Sequence, residues 1–524
     1  MKRFFFNNKI KLYSGVLFFF SISINQYYGN IGINPIDSFF SFNAGYDILN
    51  GHYPFRDYWT ITGPFIAFFQ AFFFKLFGVN WSSYVFHASI FNFILTISTF
   101  YILYKLKLNI HYCFFYSFLL SFLAYPSSGT PYVDHHASYL SLISIFIFIL
   151  AIKTDLKIYW FLLPIILGIS FLSKQAPTSH IILIISLLSI FYFIFNYNSG
   201  NFFSAVLGVI SFILFFFIIL FSIKIPFSSF YHQYILYPIS LGSSRLEFLF
   251  PLEFNRIILR FKLIHLSYLL LLIVIIKNLL KSFSYIKTKD FYILIALIFY
   301  SYSLILHQLM TINGLYIYFI IPVLIGFSHI YYLKFFHEKK YIFYFLIITS
   351  ISSSIHYGYK YVHKRDFMDL RNAKIERAID SEILDKRLKG LKWITVLYPE
   401  KPEEEIKKLS NTIAAIKKDK KNKIIITDYQ FISVVLSIYD NSPSQVWFGY
   451  HVNPIKNSQY YEEYKNFVIQ KIKENKIEII YVVKPLWGGN EIIENAIEGN
   501  CLKKNNITDV LVRYKILKCK ELSN

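Results

Sequence analysis

Apolar stretches of roughly 16–22 residues recur along the first two-thirds of this chain, at about 12–27, 83–104, 111–126, 136–152, 158–173, 179–196, 202–223, 263–277, 291–307, 315–333 and 341–356. Each is long enough, or nearly so, to cross a hydrocarbon layer as a helix. A chain with eleven such segments cannot bury them all in one water-soluble core. With 55% hydrophobic and 20% aromatic residues over 524 positions, it reads as an α-helical polytopic membrane protein of about eleven transmembrane helices.

Charge then gives the path a direction. The lysines and arginines of the first 356 residues concentrate at Lys2–Lys11, Lys105/Lys107, Lys153/Lys157, Lys277–Lys289 and Lys334–Lys340. Those loops belong in the cytoplasm by the positive-inside rule. The N-terminus is then cytoplasmic, the first apolar segment is an uncleaved helix, and an odd helix count puts the C-terminal domain outside. The net charge of +22 does not indicate nucleic acid, because it is spent on these loops and on an ordinary charged tail. The organisation expected is a membrane domain over 1–356, a charged helical connector over 357–422 and a soluble α/β domain over 423–524. In the last, Lys423–Thr427, Gln445–Gly449, Ile477–Val483 and Val510–Leu517 read as strands, with helices at Ser458–Lys473 and Glu491–Ile497.

Only nine acids occur before residue 357, and six of them (Asp37, Asp47, Asp57, Asp134, Glu247, Glu253) fall in the segments assigned to the outside. Carboxylates next to hydrocarbon are costly and mark candidate sites. Asp37 follows the first helix; read locally, it is equally a helix N-cap for Ser38–Leu49. Asp134 begins an Asp134-His135-His136 run at a helix mouth. Adjacent histidines on one helix point about 100° apart, which disfavours a shared metal. Lys174 is the one basic residue between Lys157 and Lys224, and a snorkelling interfacial lysine is its bland alternative. Arg245, Arg256 and Arg260 lie in the loop Lys224–Lys262, where a solvated interfacial face is an equal reading. His307 ends another helix. Asp47 and Asp57 read as caps or as partners of Arg56.

An acid after the first helix, then Gly51-His52-Tyr53-Pro54-Phe55-Arg56-Asp57-Tyr58 and Gly63-Pro64, resembles the first outer loop of bacterial GT-C glycosyltransferases, relatives of protein O-mannosyltransferases and of the lipid A aminoarabinose transferase. Leu172-Ser173-Lys174-Gln175 resembles a second element of that pattern. The resemblance implies a GT-C fold in the bacterial inner membrane and inverting transfer of a hexose or pentose from a polyprenyl-phosphate donor to a lipid, glycan or protein acceptor, in cell-envelope biosynthesis. It implies Asp37 and Asp134 as catalytic residues, and Lys174, with Arg56 and Arg245, at the donor phosphate. His135, His136, Tyr58 and His307 would line the acceptor cavity. The pair of acids common in that group is absent here, since Ser38 and Phe39 follow Asp37. No cofactor is required, and a divalent metal is compatible but not indicated. Membrane lipids are the remaining partner, and nucleic acid is not one. Competing readings are a flippase or transporter of lipid-linked saccharides and an enzyme like the O-antigen ligases and polymerases. The former would place polar groups deep in helices and show internal repeats, neither of which is evident. Cys501 and Cys519 are candidates for a disulfide in an oxidising compartment.

Overall fold

The computed structural model describes residues 2–312, 316–438, 442–447, 452–486, 497 and 501–517, with side chains from residue 8 onward. The helices are α1 Lys2–Gly29, α2 Pro35–Ser38, α3 Phe40–Leu49, α4 Pro64–Phe77, α5 Trp81–Lys105, α6 Ile110–Leu123, α7 Val133–Thr154, α8 Lys157–Phe171, α9 Thr178–Phe195 and α10 Ser199–Ser222. They continue as α11 Phe227–Phe230, α12 Tyr237–Arg245, α13 Lys262–Lys281, α14 Lys289–Met310, α15 Ile320–Phe335, α16 Lys340–Tyr357, α17 Pro402–Lys418, α18 Phe431–Leu436 and α19 Tyr461–Glu474. Six short strands follow α16: β1 Ile379–Asp380, β2 Lys392–Trp393, β3 Lys423–Ile426, β4 Ile479–Val483, β5 Leu502–Asn506 and β6 Leu511–Ile516.

Every apolar stretch read from the sequence coincides with a helix. Among the described residues, seven helices are long and apolar enough to cross a membrane: α5, α7, α9, α10, α13, α14 and Ile317–Phe335. By contrast, α6 and α8 have 14 and 15 residues. At about 1.5 Å per residue each is shorter than a hydrocarbon core of about 30 Å. Local chemistry sets the boundaries. Asn109 caps α6 by accepting from the His111 backbone N–H, and Thr288 caps α14 by accepting from Phe291. Helix α7 ends at Asp155 in the left-handed conformation, with φ 54°.

The chain forms two compact units, each discontinuous in sequence. The first comprises Met1–Gly29, Val85–Phe217 and Ser244–Phe367. Within it α7 packs against α8, α9 and α14, while α15 packs against α6, α13 and α16.

The second unit comprises Asn30–Tyr84, Ile218–Ser243 and Met368–Asn524. Its main sheet runs β3-β4-β6-β5, with β3 parallel to β4 and the other pairs antiparallel. Ile424, Ile426, Ile480, Val482, Val512 and Tyr514 form one buried face of this sheet, covered by Tyr464, Val468 and Ile472 of α19. Trp59 and Tyr237 join the same core, so segments distant in sequence belong to this unit. Helix α17 carries Glu403, Glu404 and Glu405 in its first turn and Lys417 and Lys418 in its last, which complements the helix dipole.

Two expectations need correction. Of the expected strand Gln445–Gly449, the described residues Gln445–Trp447 form none, and Phe448 and Gly449 lie outside the described residues; a single bridge joins Ser444 to Trp59, with Trp59 N–H donating to the Pro443 carbonyl and Gln445 N–H to the Trp59 carbonyl. Asp37 does not cap Ser38–Leu49. It lies in the first turn of α2, whose N-cap position is Asn34, and α3 starts separately after Phe39. The expected helix over 491–497 and Cys519 of the expected disulfide lie outside the described residues, whereas Cys501 is buried and Cys113 is a buried free thiol.

Candidate functional site

In the first unit, three side chains nominated separately by the sequence come together. Asp134 sits in the first turn of α7, Lys174 in the turn that follows α8, and His307 in the last turn of α14. Lys174 Nζ donates to both carboxylate oxygens of Asp134, at 2.7 Å each. His307 Nε2 lies 2.7 Å from Asp134 Oδ1. A carboxylate only accepts, so Nε2 carries the hydrogen. The Asp134 and His307 side chains are 9% and 4% exposed and Lys174 is 25% exposed, so the pair is sheltered and the ammonium is its most accessible member.

Hydroxyl contacts hold the three helix ends in register. Ser170 Oγ donates to the Ala137 carbonyl at 2.8 Å and lies 2.9 Å from Ser141 Oγ and 3.0 Å from Thr178 Oγ1, tying the ends of α8 and α9 to α7. Tyr300 OH donates to the Ser138 carbonyl at 2.7 Å, and Tyr316 OH lies 3.0 Å from Ser138 Oγ. These bonds join α14 and the start of the Ile317–Phe335 span to the same turn of α7. The sequence folds this way because small hydroxyl residues let the helices approach closely and satisfy one another where water is excluded.

The two histidines after Asp134 diverge, as a 100° step requires. His135 Nε2 is 3.0 Å from Ser127 Oγ, and its ring stacks between Tyr316 at 4.6 Å and Tyr125 at 5.2 Å. His136 Nδ1 meets the Tyr125 hydroxyl, and its Nε2 is 2.9 Å from His87 Nε2. Among the described residues, no group of three His, Cys, Asp or Glu is placed to hold a metal ion.

Arg365 was not nominated by its sequence. It is 1% exposed and donates to three successive carbonyls, Pro126 at 2.9 Å, Ser127 at 3.1 Å and Ser128 at 3.0 Å. Burial pulls its guanidinium down to about 10, so it stays charged at neutral pH. The loop it grips carries Tyr125 and Ser127, the partners of His136 and His135. Arg365 stands in the run His363-Lys364-Arg365, which reads as solvated charge; its one local signal is its place just after the last apolar helix.

The second unit holds Asp37, Arg56 and Tyr58. The approach to Asp37 is pinned by Gly32 N–H to the Lys392 carbonyl at 2.9 Å, Ile33 N–H to the Ile394 carbonyl at 3.1 Å, and the Asn34 side chain to Asp369 at 3.1 Å. Phe39, just beyond, packs on Trp81, Trp393 and Phe431. Arg56 is engaged locally, with Nη2 2.7 Å from Asp57 Oδ2 and from the Gly51 carbonyl, and Nη1 2.7 Å from the Ile223 carbonyl. Tyr58 is buried beside it. Arg245 closes α12 and belongs to the first unit.

The class defined so far is a mostly helical chain with several membrane-length helices, a small sheet, and a sheltered acid–lysine–histidine cluster at three helix ends. No protein-family profile matches the chain, and no curated protein does. Among solved structures it is similar to the crystal structure of ArnT from Cupriavidus metallidurans bound to undecaprenyl phosphate, at 9% identity and TM-score 0.47, over 96% of this chain and 97% of that one. At that score the likeness carries no functional weight.

Proposed function

We propose that this chain is an inverting membrane glycosyltransferase that moves a sugar from a polyprenyl-phosphate donor to a hydroxyl of a lipid, glycan or protein at the outer face of the cytoplasmic membrane. The observation that supports it best is the sheltered contact of Asp134 with both Lys174 and His307. An ammonium and a carboxylate taken out of water repay their desolvation poorly, so such a pair is weak as a stability device and is better explained by use.

The chemistry follows from the groups. Breaking the bond between the anomeric carbon and the phosphate oxygen sends the electron pair to the phosphate, through an oxocarbenium-like transition state. Lys174 has three N–H donors, and the two oxygens of Asp134 take up two of them. The ammonium can therefore meet a phosphate oxygen while Asp134 keeps it aimed, and its charge stabilises the phosphate as it departs. His307 donates to Oδ1 of the same carboxylate and helps fix its orientation. The acceptor hydroxyl must lose a proton as its oxygen attacks from the face opposite the phosphate. We assign that proton to Asp37 on its sequence context. The leaving group departs as an anion, so no separate acid and no cofactor enters this scheme.

The test is transfer by the purified protein in proteoliposomes, with polyprenyl-phosphate sugars as donors and release of polyprenyl phosphate as readout. Lys174→Met should lower turnover by about 100-fold or more, in the range of losing one charge-stabilising donor. Release equal to wild type would remove Lys174 from the mechanism.

A further inference from the structure

The second unit carries a cationic cavity unrelated to any residue used above. It has a volume of about 580 Å³ and lies where the end of α17 meets the sheet, lined by Lys418, Lys420, Lys421, Arg513, Tyr481 and Asn505 around Asp419. The single acid is consumed internally. Asp419 Oδ2 accepts from Tyr481 OH at 2.9 Å and from Arg513 Nη2 at 3.1 Å, and its Oδ1 accepts from the Lys421 backbone N–H at 3.1 Å. It therefore orients the phenol and the guanidinium and neutralises one charge. Lys421 pairs with Glu478 at 3.2 Å. Lys418 and Lys420 are exposed and form no ion pair among the described residues.

Strand register extends the cationic surface. Arg513 of β6 lies opposite Tyr481 of β4 and Asn505 of β5, while two residues along the same face Lys515 lies opposite Lys503. Like charges directly across an antiparallel pair are destabilising, and neither lysine has a carboxylate partner among the described residues. The fold tolerates an electrostatic cost that an anionic ligand would relieve.

The geometry points to a binding site for a phosphate-bearing ligand in this cavity. Lys418 and Lys420 would supply charge, Arg513 a planar donor fork held in place by Asp419, and Tyr481 and Asn505 hydrogen bonds to attached hydroxyls. The site does not depend on the transfer reaction proposed above, and its test reads binding, not turnover.

The experiment is equilibrium binding of labelled inorganic pyrophosphate to the full chain in phosphatidylcholine nanodiscs at constant ionic strength. Saturable binding is expected. It should weaken by about tenfold or more in Lys418→Glu/Lys420→Glu and hold in Lys456→Glu, a charge reversal at an exposed lysine outside the cavity. Adding phosphatidylglycerol to the nanodiscs should compete with pyrophosphate if the natural phosphate is a bilayer headgroup, and leave binding intact if it belongs to a soluble ligand. Absence of saturable binding, or an equal loss in Lys456→Glu, would overturn the site and leave only diffuse surface charge.

Discussion

Lys174 and Asp134 face each other at 2.7 Å from the ends of two different helices, 40 residues apart in the chain. Because the carboxylate is nearly shut off from solvent, each member depends on the other. Lys174→Met should destabilise the protein by about 3–5 kcal/mol, the cost of leaving a buried charge without its partner. Adding Asp134→Leu to Lys174→Met should recover part of that loss. Thermal unfolding of the two single variants and the double variant in detergent measures the coupling, and additive losses would contradict it.

His307 is expected to act through Asp134. In His307→Gln the amide N–H can still donate to Asp134 Oδ1, so stability and turnover should stay near wild type. In His307→Ala turnover should fall by about tenfold with a smaller change in KM, as expected for a group that orients the charged pair without binding the substrate. The kcat and KM of the two variants decide this; equal defects in both would point to a contact that only histidine can make.

Arg365→Ala should remove the clamp from the Pro126, Ser127 and Ser128 carbonyls and cost about 2–3 kcal/mol, in the range for hydrogen bonds to a charged donor. Arg365→Lys should recover little, because one ammonium cannot reproduce the fork that spans three carbonyls. Protease sensitivity of the loop near Tyr125 reads the local effect beside the overall melting temperature.

Glu405 gives a pH prediction in the second unit. Its carboxylate is 2% exposed and accepts from Trp393 Nε1 at 2.9 Å, Thr395 Oγ1 at 2.9 Å and Tyr429 OH at 2.6 Å. Burial pushes the Glu405 carboxyl up from 4.5, and the hydrogen bonds from Tyr429, Trp393 and Thr395 oppose that shift without cancelling it. A raised folded value means the folded state holds the proton more tightly than the unfolded chain. That contribution is complete below the ordinary glutamate value and is lost as pH rises through the raised one. The stability difference between wild type and Glu405→Gln should therefore fall as pH increases from 4 through that range. A difference that rose with pH would contradict the assignment.

Much of this was legible from hydropathy and charge. Each apolar stretch is a helix, and Asp134, Lys174 and His307 were each nominated by position at a helix mouth. Their meeting was not legible, since His307 stands 173 residues from Asp134 and no local pattern encodes which helix ends adjoin. Arg365 was missed because a buried arginine and a solvated one look alike inside a basic run. Strand β5 was missed because Lys503, Lys504, Asn505 and Asn506 have poor strand propensity; an edge strand tolerates them with one side solvated. The division of the chain into two interleaved units also had no signature, because Trp59 and Tyr237 enter the second core from segments that read as outer loops.

The most direct measurement is release of polyprenyl phosphate from polyprenyl-phosphate hexoses and pentoses by the purified chain, run in parallel on wild type, Lys174→Met and Asp37→Asn with folding checked by melting temperature. Acceptor-dependent release by wild type, about 100-fold slower in Lys174→Met and absent in a folded Asp37→Asn, is the expected result. Full release by a folded Asp37→Asn, or none by wild type with any donor, would contradict the proposed reaction.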